Sequence, residues 1–395
     1  MHSTEVLETS KATNPLKALL GYGQSLWLDY IRRDLFTSGK LKKMIENDGL
    51  RGMTSNPSIF EKAIAESSLY DDMLHALASR NDLSTTARYE QIALRDIQDA
   101  ADILRAVYEE SKFRDGYVSL EVSPLLALET QKTIEEARRL WKAVNRENVM
   151  IKVPGTAQGI PAIRQLIGDG ININVTLLFA QEVYEEVAET YIAGLEDLAK
   201  HGGNLKKMAG VASFFISRID TLVDSMIDDK LKNPSDPAQQ ALLKSLKGKV
   251  AIANGKLAYQ GYQGIFSGPR WQALASKGAQ TQRVLWASTS TKNPAYSDVM
   301  YVEELIGPDT VNTMPPATID AFRDHGKLRK SLTENVQGAQ KVMDDLALAG
   351  ISIQEVTTRL TREGVQLFAD AFNNLLQAVE KSTQQKGHQL SPQRQ

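Results

Sequence analysis

The sequence predicts an α/β fold, a (β/α)8 barrel with additional C-terminal helices, on three observations. Eight short apolar runs of strand length alternate with long stretches of helical periodicity. Polar, chemistry-bearing residues gather at the C-terminal ends of those runs, where a barrel opens its mouth. Nothing in the 395 residues reads as a linker rich in Pro, Gly or Ser, and no internal repeat divides them. Together these describe a TIM barrel; a doubly wound parallel sheet is the alternative arrangement of the same elements.

The expected strands fall at 25–29, 50–53, 117–122, 149–153, 171–177, 208–214, 284–288 and 310–313. Between them, helical spacing links Ile97, Ala100, Ala101, Leu104 and Tyr108. It recurs at Ile134, Ala137, Trp141 and Val144, and again at Val183, Val187, Tyr191, Leu195 and Leu198. A helical insertion at about 216–282, interrupted by the breaker-rich Asn233-Pro-Ser-Asp-Pro237, separates the sixth and seventh strands. C-terminal helices follow at about 327–381. One carries Leu332, Val336, Ala339, Met343 and Leu346, the other Val365, Phe368, Phe372, Leu375 and Val379. The expected organisation is a flexible N-terminus (1–15), a single barrel domain (16–382) and a Gln-rich disordered tail (383–395).

Composition narrows the function. The chain carries 46 Lys and Arg against 48 Asp and Glu, so no basic excess points to nucleic acid or an anionic membrane. The absence of cysteine excludes disulfides, iron–sulfur clusters, thiolate zinc and cysteine nucleophiles. The five histidines lie scattered, without metal-ligand spacing. Gly21-Tyr-Gly-Gln-Ser-Leu26 has two of the three glycines of a dinucleotide loop and no strand before it, and there is no Walker A sequence. No cofactor and no metal are therefore expected. The first 14 residues lack the basic start and apolar stretch of a signal peptide. No apolar run approaches the ~20 residues of a membrane span. The expected location is the cytoplasm.

Each expected strand end has chemistry to offer. Asp29 closes the first strand, and Asn56 lies in the polar turn after the second. Ser119, Glu121 and Ser123 share one face of the third; Lys152 sits near the end of the fourth. Asn172, Asn174 and Thr176 alternate with apolar residues on the fifth. Ser213 ends the sixth, with Phe215 and Arg218 beyond, and Ser288 ends the seventh. Taken singly, each has an ordinary role: an edge lysine, a capping aspartate, an Asn–Pro turn, a surface arginine. Their convergence at one end of the strands points instead to a site.

The lysine sets the chemistry. At its ordinary pKa of about 10.4, only roughly one lysine amine in a thousand is unprotonated at pH 7. A barrel interior disfavours the ammonium, and a free amine attacks a carbonyl to form a Schiff base. With Asp29 and Glu121 as proton carriers, the constellation suits carbon–carbon bond cleavage in a ketose.

Seven segments, in order, resemble the transaldolase family: Ser25-Leu-Trp-Leu-Asp29, Gly52-Met-Thr-Ser-Asn-Pro57, Ser119-Leu-Glu121, Ile151-Lys-Val-Pro154, Asn174-Val-Thr-Leu-Leu-Phe179, Ala212-Ser-Phe-Phe-Ile-Ser-Arg218 and Trp286-Ala-Ser288. The length and C-terminal helices resemble the longer bacterial form. The resemblance implies a class I aldolase-type barrel in which Lys152 is the Schiff-base nucleophile and Asp29 takes the C4 hydroxyl proton. It implies that Glu121 shuttles protons with a water held by Thr176, that Asn56, Asn174 and Ser213 bind the dihydroxyacetone hydroxyls, and that Phe215 lines the water site. Arg218 should grip the substrate phosphate. The implied reaction carries a dihydroxyacetone unit from sedoheptulose 7-phosphate to glyceraldehyde 3-phosphate, giving erythrose 4-phosphate and fructose 6-phosphate, within the pentose phosphate pathway. A monomer or homodimer is expected.

One segment departs from the family pattern. Shorter members place a second phosphate arginine after the seventh strand; here the run is Ser288-Thr-Ser-Thr-Lys-Asn-Pro294. Ser288, Ser290 and Lys292 are the candidates for that contact, with Lys292 as an ordinary loop residue the alternative. Two other functions fit the same residues: an aldolase releasing free dihydroxyacetone, and a catalytically silent sugar-phosphate-binding barrel.

Overall fold

In the computed structural model, which describes residues 14–234 and 236–390, eight parallel strands close into a ring in sequence order. They are β1 (Gln24–Asp29), β2 (Leu50–Thr54), β3 (Tyr117–Glu121), β4 (Val149–Pro154), β5 (Ile173–Leu178), β6 (Gly210–Phe215), β7 (Arg283–Ala287) and β8 (Thr310–Met314). Pairing of β1 with β8 completes the barrel and rules out the doubly wound sheet, which leaves edges open. Each expected strand overlaps an observed one.

The strands form where they do because both faces can be buried. β4, β5 and β6 are buried at every position. One face meets the surrounding helices, while the other fills the barrel in layers. In the lower layers, Arg283 donates to Ser25 Oγ (2.8 Å) and Asp115 Oδ1 (2.7 Å), so this interior ion pair is fully satisfied. The Trp27 ring fills the space above, against Tyr117. Gly52 is what admits it: a Cβ there would stand 2.4 Å from the indole.

β5 contains an irregularity that bears on the site. Val175 pairs with Ala212 but Leu178 with Phe214, so two residues of β5 oppose one of β6. The extra residue, Leu177, has φ +61°, the left-handed region disfavoured for a branched side chain. The bulge directly follows Thr176.

The 216–282 stretch forms four helices, Ser217–Leu231, Pro237–Leu246, Val250–Ile265 and Pro269–Ala275. After β8 come Pro316–His325, Val336–Leu348 and the long Ile353–Leu390. This last helix packs against Pro57–Ala65 and Asp71–Ala78, which brings it to the end of the barrel where β2 emerges. It also runs past residue 383, where a disordered tail was expected to begin. Thr383 is buried and its hydroxyl donates to Val379 O, extending the apolar stripe of the helix by another turn. Residues 391–395 lie outside the described residues, as does the expected flexible N-terminus apart from Asn14 and Pro15. Asn14 caps the helix Pro15–Ala18.

Candidate active site

A cavity of about 560 Å³ opens at the C-terminal ends of the strands. Strand alternation brings Asp29, Thr54, Lys152, Thr176, Ser213 and Phe215 to it from five different strands. Asn56, Arg218, Ser288, Ser290 and Lys292 reach it from the loops and helix starts that follow the strands. Of the residues to which the resemblance gives a role, Glu121 and Asn174 do not line it; nor do Ser119, Ser123 and Asn172.

Lys152 is 5% exposed. Its Nζ donates to Ser55 O (3.2 Å) and lies 3.4 Å from Glu121 Oε2. β3–β4 register fixes that pair, since Glu121 is the direct partner of Lys152. Burial pushes the Glu121 carboxyl above its usual range, with the Lys152 charge opposing the shift. Apart from this ion pair, neither Glu121 oxygen has a hydrogen-bond partner among the described residues, and neither does the buried Thr176 hydroxyl. Buried polar atoms are rarely left so.

Asp29 accepts a hydrogen bond from Thr54 Oγ1 (2.8 Å), whose hydroxyl also meets Thr313 Oγ1 at 2.8 Å. Burial raises its carboxyl above the ordinary aspartate range, against the lowering effects of the Lys152 charge and the Thr54 bond. Both acids are thus shifted towards holding a proton, which is what a group alternating between base and acid requires.

Asn174 lies one layer deeper than expected. It is fully buried, donates from Nδ2 to Ser119 Oγ (3.0 Å) and accepts at Oδ1 from Ser213 Oγ (2.7 Å). Its side chain therefore supports Ser213 from below the cavity floor. The Asn56 Oδ1 caps the helix Pro57–Ala65, accepting from Ile59 N and Ser58 Oγ, while Nδ2 has no partner among the described residues.

Arg218, the second residue of Ser217–Leu231, has no acidic partner among the described residues. Its guanidinium lies 5.5 Å from the Phe215 ring centroid, and partial burial lowers its pKa. Ser288, in the left-handed region at φ +56°, turns the loop after β7 onto the same helix start, with its Oγ 2.9 Å from Ser217 Oγ. Lys292 is exposed and donates to Ser290 Oγ (2.8 Å). With Lys62 also on the wall, the cavity suits an anionic substrate.

Sequence reasoning missed Thr54, Lys62, Thr313 and, above all, Phe368 of the helix Ile353–Leu390, whose ring centroid is 5.5 Å from Lys152 Nζ. Thr54 lies within a motif that was recognised. Phe368 belongs to a helical apolar stripe that carries no other signal.

Comparison with known proteins agrees with this geometry. The family model described as transaldolase/fructose-6-phosphate aldolase matches residues 26–379. A transaldolase of Trichodesmium erythraeum is 50% identical over 371 residues, covering 93% of this chain and 97% of its own. A transaldolase 2 of a Nostoc species is 50% identical over 372 residues, with the same coverage. A transaldolase of Frankia alni is 44% identical over 377 residues, 95% of this chain and 99% of its own. The chain belongs to the transaldolase/fructose-6-phosphate aldolase family.

Proposed function

We propose that this enzyme is a transaldolase that moves a dihydroxyacetone unit from sedoheptulose 7-phosphate to glyceraldehyde 3-phosphate through a Schiff base on Lys152, in the cytoplasm. The observation that carries the reading is a buried lysine amine, 3.4 Å from a buried carboxylate, at a cavity that also holds a second carboxylate and an arginine with no acidic partner among the described residues.

The free amine of Lys152 attacks the ketose C2 to give a carbinolamine. Loss of water needs a proton delivered to the leaving hydroxyl, and Glu121, working through a water held with Thr176, supplies it. Asp29 takes the proton of the C4 hydroxyl as the C3–C4 bond breaks; the electron pair passes into the imine, the aldose leaves, and an enamine remains on Lys152. An acceptor aldehyde then reverses these steps, with Asp29 returning the proton to the new hydroxyl. Asn56 and Ser213 hydrogen-bond the dihydroxyacetone hydroxyls, with Asn174 orienting Ser213. Arg218 binds the phosphate, assisted by Lys292 and the serines of its loop.

Borohydride reduction in the presence of fructose 6-phosphate tests the reading. It should inactivate the enzyme and leave a reduced dihydroxyacetone adduct on Lys152. An adduct on another lysine, or none, would overturn it.

A further inference from the structure

We infer that Phe368 is a specificity-determining residue, whose ring over the Lys152 amine keeps the bound three-carbon unit from being released before an acceptor arrives. The inference rests on the Schiff-base reading above and concerns a helix outside the strand ends of the barrel. The Phe368 ring lines the cavity with its centroid 5.5 Å from Nζ. Ser55 O and Glu121 take up polar sides of the amine, and Phe368 presents an apolar one.

The ring is held in place from both directions along its helix. One turn before it, Gly364 abuts Leu177 so closely that a Cβ would stand 2.9 Å from Leu177 Cδ2. That residue is the bulge directly following Thr176, so the helix docks on the irregularity of β5 itself. One turn after it, Phe372 packs edge-on against Tyr89 (5.9 Å), and Tyr89 against Phe60 of Pro57–Ala65 (5.8 Å). Phe368 is thus a fixed part of the site wall.

Its chemistry follows from what threatens the intermediate. The enamine left on Lys152 is nucleophilic at carbon. If that carbon takes a proton from water, the iminium re-forms. Water then adds to C2, the C–N bond breaks, free dihydroxyacetone departs, and a proton returns to solvent as the amine is restored. The first step needs water beside that carbon, two bonds from the nitrogen, and it alone belongs to release, because the product of transfer also leaves Lys152 by hydrolysis at C2. A phenyl ring has no proton to give and denies water that side, whereas an acceptor aldehyde enters from the cavity.

The test compares native enzyme with Phe368→Ala, Phe368→Val and Leu367→Ala, the last altering an exposed neighbour on the same helix. Release of dihydroxyacetone from fructose 6-phosphate alone is measured against transfer to an added aldehyde. The ratio of release to transfer should rise about tenfold in Phe368→Ala and about threefold in Phe368→Val, which keeps more apolar bulk, and stay at the native value in Leu367→Ala. If Phe368→Ala does not fold, Phe368→Val carries the comparison. An unchanged ratio in the folded Phe368 variants, or an equal rise in Leu367→Ala, would overturn the inference. Borohydride trapping on native Lys152 is read separately, so a failure of the Schiff-base reading is distinguishable from a failure of this one.

Discussion

Glu121 and Lys152 are direct partners across β3 and β4, and their side chains meet with Nζ 3.4 Å from Oε2. Asp29 comes from β1, on another part of the ring, and is tied to Thr54. The Lys152 charge thus bears on two carboxyls from different strands, in contact with Glu121 and at longer range on the part-buried Asp29, and each should serve a different proton. In the proposed mechanism Glu121 handles the protons on and off the C2 oxygen during imine formation, and Asp29 that of the hydroxyl further along the substrate chain.

Separating those roles is the first expectation. Asp29→Asn should still be trapped on Lys152 by borohydride, yet cleave about 10²–10⁴-fold more slowly, the usual scale for a lost general acid–base. Glu121→Gln should slow trapping itself. Single-turnover trapping and cleavage rates check both; normal turnover by Asp29→Asn would reduce that residue to a structural one.

The phosphate end makes a second expectation. Among the described residues Arg218 has no acidic partner, and it lines the cavity, so Arg218→Ala should raise KM for phosphorylated donors far more than for unphosphorylated ones. Lys292→Ala should do so more weakly, since an exposed ammonium lacks the planar fork of arginine. Steady-state kinetics with both donor types decide it, and equal losses would assign these residues to folding.

A third concerns pH and stability. Asp220, on the helix that starts with Ser217 and Arg218, is 1% exposed and accepts from Ala251 N (2.7 Å) and the Tyr301 hydroxyl (2.9 Å). Burial outweighs these bonds and raises its pKa to about 7. An unfolded aspartate ionises near 3.9, so between about pH 4 and 7 the folded chain keeps a proton that the unfolded chain has lost. Stability from this group is therefore present below that window and falls as pH rises through it. Urea unfolding should show native protein losing on the order of 4 kcal/mol relative to Asp220→Asn between pH 4 and 8. Parallel profiles would show that Asp220 ionises normally.

The barrel was legible because its strands are short apolar runs punctuated by helical periodicity, and the site because those runs end in polar residues. Depth was harder to read. Asn174 and Thr176 share a face, as their alternation requires, but residues two apart on a strand stand about 7 Å apart along it. Only the upper one reaches the cavity, and Asn174 bonds Ser119 and Ser213 below. The Leu177 bulge carries no glycine or proline to announce it. Phe368 shares its stripe with Phe372 and Leu375, and periodicity alone makes all three core. Its difference arises where the helix meets the barrel mouth, a tertiary fact that local spacing does not encode.

Phe215 supplies the last expectation, because it bears on transfer against release from the opposite kind of change. Its ring packs against Phe179 (5.3 Å) and beneath the Arg218 guanidinium, and it lines the cavity with Thr176 and Lys152. Like Phe368 it has no proton to give. A tyrosine in the same volume would add a hydroxyl able to order water and to pass a proton to the enamine carbon. Phe215→Tyr should therefore raise dihydroxyacetone release from fructose 6-phosphate without an acceptor and weaken transfer when one is present. Because the change adds a donor and leaves the apolar packing in place, it separates proton delivery from water exclusion, which Phe368→Ala alters. The two substitutions combined should raise release further than either alone. The idea fails if native enzyme already releases dihydroxyacetone as fast as it transfers it, or if Phe215→Tyr leaves the partition unchanged.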